Sequence, residues 1–82
     1  MTGIKSVAES WLSFWKAVAP PDASDTQKTE MRRAFYAGAW AVMCQVRRVG
    51  DDDVPEDAGV RHLESLHQEC RAFQQLIKEG NA

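Results

Sequence analysis

Little in this chain of 82 residues is long, repeated or reactive. No apolar stretch is long enough to cross a bilayer or to act as a secretory leader, because Lys5, Glu9 and Lys16 interrupt the N-terminal segment MTGIKSVAESWLSFWKAVAP. That reading excludes a membrane partner and predicts a soluble, intracellular protein. Two cysteines, Cys44 and Cys70, are too few for a secreted disulfide framework, and in a reducing compartment they serve as small apolar residues. Neither sign of charge dominates: 10 basic residues face 12 acidic ones, for a net charge of -2. No global basic field therefore calls for nucleic acid or an anionic membrane. Glycine-rich phosphate loops, strand-like alternation and internal repeats are all missing.

What is present is helical periodicity. Ile4, Ala8, Trp11, Trp15 and Val18 recur at spacings of 4, 3, 4 and 3, which predicts a first helix over about residues 3–18, stopped by Pro20-Pro21. A second helix, about 25–49, opens at SDTQ, where Ser24 and Gln27 have capping-box spacing. It closes at Gly50, a residue suited to the left-handed position after a helix, with Arg47 and Arg48 at the negative end of the dipole. A third helix, about 54–79, follows DVPE, with Asp53 as its cap.

These elements predict an all-α fold in one domain, 1–82: an antiparallel hairpin of the second and third helices plus an N-terminal helix. A bundle this small buries limited surface, and oligomerisation is a usual supplement. The inward series is Met31, Phe35, Gly38, Val42, Gln45 and Val49 on the second helix. On the third it is Gly59, Leu63, Leu66, Cys70, Phe73 and Ile77. Ala34, Gly38 and Ala41 form a flank of small residues where the first helix would approach closely.

The second helix has another face. Tyr36, Trp40, Met43 and Arg47 lie roughly opposite Met31, Phe35 and Val42, with Arg32 and Arg33 on either side. Either the first helix or a second copy of the chain covers this face, or it meets a ligand or protein. Aromatic residues and arginine are enriched at binding hot spots, and an arginine beside a ring can hold a stacked base and its phosphate. The candidate binding residues are therefore Tyr36, Trp40, Met43, Arg32, Arg33 and Arg47, with Trp11 and Trp15 from the first helix. Charge is local too: five bases against one acid lie between Gln27 and Val49, and five acids lie between Asp51 and Asp57.

Candidate chemistry is sparse. His62 and His67 are five apart, about 140° around a helix, so they do not converge as an i, i+4 zinc pair does. His67 and Cys70 can share a face but lack a third and fourth ligand. The run DDDVPED has neither the spacing nor the glycine of an EF-hand loop. The expectation is a chain without catalytic residues, metal or cofactor.

The segment QKTEMRRAFYAGAWAVM resembles small helical accessory proteins of tailed bacteriophages, in which a stretch like Met31 to Ala39 recurs ahead of a less regular C-terminal helix. The likeness covers about a quarter of the chain. It implies a phage or prophage accessory protein of the host cytoplasm that inhibits a bacterial defence or regulatory component, of the anti-CRISPR or another anti-defence type, by binding; the small core and the second face of the second helix add the expectation of a homodimer or higher homo-oligomer. Two alternatives accompany it: an oligomeric sponge that sequesters a cyclic nucleotide signal, and a small hairpin dimer that binds RNA or DNA. The acidic overall charge weighs against the last.

Overall fold

The computed structural model describes residues 3–82, and among them it holds three helices and no strand: α1 (Val7–Val18), α2 (Asp25–Val49) and α3 (Glu56–Lys78). The protein is all-α. α1 begins four residues later than periodicity predicts. Ser6 is the reason: its hydroxyl accepts from the Glu9 N–H at 3.1 Å, and its own N–H donates to the Glu9 carboxylate at 3.0 Å, a complete capping box. Upstream, Gly3 sits at φ +77°, outside the right-handed helical region. α1 ends where the Ala19 N–H donates to the Trp15 carbonyl and Pro20-Pro21 follow. α2 opens as expected behind Ser24, whose hydroxyl accepts from the Gln27 N–H at 3.0 Å.

The chain divides into two compact units, Met1–Met43 and Cys44–Ala82. The first pairs α1 with the N-terminal part of α2. Trp11, the only buried hydrophobic side chain among the described residues, lies with its ring centroid 5.6 Å from Trp15, 6.0 Å from Phe14 and 5.6 Å from Phe35. Phe14 also meets Phe35 at 5.4 Å. Such ring pairs add about 0.5–1.5 kcal/mol each beyond the area they bury. They also choose the face. α1 was expected against Ala34, Gly38 and Ala41, yet all three are exposed, and α1 lies instead over Phe35, which had been assigned to the seam with α3. Three large aromatics gain more from another ring than from a flank of methyl groups and glycine.

The second unit is a hairpin between the end of α2 and α3. Val49 meets Gly59, and Gln45 Oε1 lies 2.9 Å from His62 Nε2, so contacts advance in opposite directions along the two helices. Gly59 is buried, and a Cβ built there would stand 2.7 Å from Val49 Cγ1. Gly38, the expected close approach, has nothing within 4 Å of such a Cβ. The tight contact belongs to Gly59 because the short turn draws the helix ends together there.

That turn is organised by Arg48. Its guanidinium donates to both oxygens of Asp53, at 2.9 and 3.1 Å, and to Asp51 at 3.3 Å. Asp53 is thereby occupied and does not cap α3, whose N-cap is Pro55 without a side-chain bond. Gly50 is likewise not left-handed; the glycine that adopts φ +77° after a helix is Gly80. There the Asn81 N–H reaches the Leu76 carbonyl at 2.9 Å and the Gly80 N–H reaches Ile77 at 3.0 Å, a Schellman ending. The cysteines also differ from expectation: Cys44 and Cys70 are free and exposed. No helix of the described residues is long and apolar enough to cross a membrane.

Candidate binding surface

Two features of the first unit gather most of the expected binding residues. One is a groove of about 730 Å³ between α1 and α2, lined by Ala8, Trp11 and Leu12 from α1 and by Lys28, Thr29, Arg32, Arg33 and Tyr36 from α2. Helical spacing produces it: Lys28, Arg32 and Tyr36 fall at i, i+4 and i+8, and Thr29 and Arg33 run alongside. Three cations and no carboxylate line it.

Each cation is engaged. The Arg32 guanidinium lies over the Tyr36 ring at 5.3 Å, and Lys28 Nζ lies 5.9 Å from the Trp15 centroid. Both are favourable cation–π contacts of about 0.5–1 kcal/mol at an exposed site. Arg33 donates to Glu30 at 3.2 Å in an exposed i, i+3 pair, which contributes little to stability. Of the two tryptophans of α1 expected as contact residues, Trp11 lines the groove and Trp15 does not. Trp11 is 3% exposed, and Trp15 is half-buried between Trp11 and Lys28. Tyr36, half-buried, already has its face against Arg32.

The other feature is Trp40. It is 66% exposed and has no ring or cation partner among the described residues; Met43, one turn on, is also exposed. Periodicity placed Tyr36 and Trp40 on one face, and the structure separates their surroundings. Tyr36 lines the groove together with residues of α1, whereas Trp40 lies beyond the residues that line it. Arg47 belongs to the second unit, where it is exposed near the end of α2 and has no ion pair among the described residues.

Lys28 and Thr29 were missed from the sequence. The signal was available, since Lys28 precedes Arg32 by four residues and continues its row toward the N-terminus. No group of three or more His, Cys, Asp or Glu side chains able to hold a metal gathers among the described residues. Fold and surface together define a small all-α protein with an aromatic-backed cationic groove and an exposed tryptophan. No protein-family model, curated protein or solved structure matches the chain.

Proposed function

We propose that the chain is a non-enzymatic inhibitor, encoded by a tailed phage or prophage, that binds a bacterial defence or regulatory protein as a homodimer or higher homo-oligomer. The observation that carries this reading is Trp40, 66% exposed with Met43 beside it in the middle of a 25-residue helix. A tryptophan left in water forgoes the largest apolar burial any side chain offers, and a partner that covers it gains that burial. The phage resemblance of the segment around Phe35 supplies the setting. The arginines supply electrostatic complementarity, so the expected target surface is apolar at its centre and acidic at its rim.

The test is Trp40→Ala in a phage-protection assay, with helicity checked by circular dichroism. Loss of a hot-spot aromatic costs at least about 2 kcal/mol, roughly thirtyfold in affinity. A folded Trp40→Ala protein with full inhibition overturns the reading. So does a folded His67→Ala protein without any inhibition, since that points to chemistry.

The groove favours one second reading, capture of a nucleotide signal. Lys28, Arg32 and Arg33 offer charge for phosphate. Because Tyr36 lies under Arg32 and Trp11 is buried, a base would stack on the outer plane of Arg32. Heat on calorimetric titration with cyclic dinucleotides, lost in Arg32→Ala, supports this reading, and silence across the panel rejects it.

A further inference from the structure

The groove of the first unit has two unlike walls. Ala8 and Leu12, one helical turn apart on α1, form an apolar wall, and Leu12 is 60% exposed. Lys28, Arg32 and Arg33 on α2 form a cationic wall. Arg33 is paired with Glu30, whereas Lys28 and Arg32 have no ion pair among the described residues. Their contacts are with the rings of Trp15 and Tyr36, which hold the two cations in place and leave their charge uncompensated.

We infer that an acidic amphipathic helix of the target protein occupies this groove, its apolar face against Ala8 and Leu12 and a row of carboxylates against Lys28 and Arg32. The inference rests on the target-binding reading above and gives that target a local structure. Charge complementarity is the first support. Lys28 and Arg32 stand one turn apart, about 6 Å along α2, and carboxylates at i and i+4 of an apposed helix repeat that interval. A basic occupant is repelled by the same row.

Backbone chemistry is the second support. A groove walled by helical side chains offers no strand edge for an extended peptide to pair with. A helix bonds its own backbone and enters such a groove with its side chains alone. Length is the third. From Lys28 to Tyr36 the wall advances about 12 Å along the helix axis, so a little over two turns of the occupant lie in it, with anchors at i, i+4 and i+7. The apolar wall favours a helix over a nucleotide. Ala8 and Leu12 carry no donor or acceptor for a base edge, and leucine or isoleucine anchors match them better.

Fluorescence anisotropy of the full chain with a labelled peptide of about 14 residues, carrying Leu at i, i+4 and i+7 and Glu on both flanks, tests the proposal. The peptide should bind saturably, weaken as salt rises and lose at least roughly tenfold in affinity when Lys replaces Glu. Lys28→Glu/Arg32→Glu should reverse that preference, and Leu12→Glu should weaken the Glu-flanked peptide, both with unchanged helicity. If a variant fails to fold, the wild-type comparison of the two peptides decides alone. Equal affinity for both peptides, no binding of either, or full binding of the Glu-flanked peptide by Leu12→Glu overturns the assignment. Cyclic dinucleotides that bind where the Glu-flanked peptide does not give the groove to a nucleotide and overturn it as well. In the phage-protection assay, folded Leu12→Glu and Lys28→Glu/Arg32→Glu should lose inhibition as Trp40→Ala does. If Trp40→Ala alone loses it, the groove assignment fails and the target-binding reading stands; if all three keep full inhibition, both fail.

Discussion

Two glycines show how much a single missing methyl depends on its surroundings. Gly38 is a helix-interior residue with open space around it, so Gly38→Ala removes only backbone freedom. It should stabilise the protein by about 0.5–1 kcal/mol in urea unfolding. Gly59 faces the stiff, β-branched Val49 at a distance no Cβ tolerates, and Gly59→Leu should cost about 1–3 kcal/mol through overpacking. The same pair of measurements run the other way round would place the close helix approach at Gly38.

Glu9 makes a residue-scale statement about pH. The Ser6 N–H, followed by the Ser6 hydroxyl, holds its carboxyl below the ordinary glutamate value, with Lys5 adding a smaller push in the same direction. A depressed folded value means that the cap's contribution is fully present above the ordinary glutamate value. It is lost as pH falls through the folded one. Acid titration followed by circular dichroism should therefore show α1 fraying at low pH, and Glu9→Gln should lack that component. Arg48 is shifted in the opposite sense, further up, chiefly by its bond to Asp53, and so stays charged wherever the protein is folded.

Among the elements, α1 depends most on one contact. It has 12 residues, too few to be stable alone in water, and its aromatics reach α2 through Phe35. Phe35→Ala should cost about 2 kcal/mol, less than for a fully buried ring because Phe35 is half-buried. The loss should appear first as hydrogen exchange across α1 and as a collapse of the near-ultraviolet aromatic signal. Protection at the end of α2 and in the first turns of α3, where Arg48, Gly59 and His62 make their own contacts, should change less. Exchange that rose equally everywhere would mean that the two units unfold as one.

At the scale of the whole molecule, the scarcity of burial is the informative property. Trp11 and Gly59 are the only buried residues among those described, while Trp40, Met43, Phe73 and Ile77 remain in water. Apolar surface of this extent is characteristic of chains that complete themselves on a partner. The target proposed at Trp40 is one such partner, and the second copy of the chain proposed above is another. On that proposal Trp40→Ala should lose inhibition while sedimentation velocity still finds the wild-type assembly. If Trp40→Ala also abolished self-association, one face would be serving both purposes.

The helices themselves were written in the sequence. Spacings of 3 and 4, the prolines after Val18 and the cap at Ser24 are local signals, and local backbone energetics answer to them. The capping box at Ser6 was equally legible as Ser-Val-Ala-Glu, but the apolar period running back through Ile4 masked it. Tertiary structure alone decided which face meets which. Periodicity gives the angle of Phe35 around α2 but not its partner, so the ring could face α3 or α1 until the packing of Trp11 and Phe14 settled it. Asp53 reads as a cap until a guanidinium five residues away takes both its oxygens. Tyr36 and Trp40, neighbours on a helical wheel, parted in the same way, because burial depends on where other chain segments end and a wheel holds only one helix.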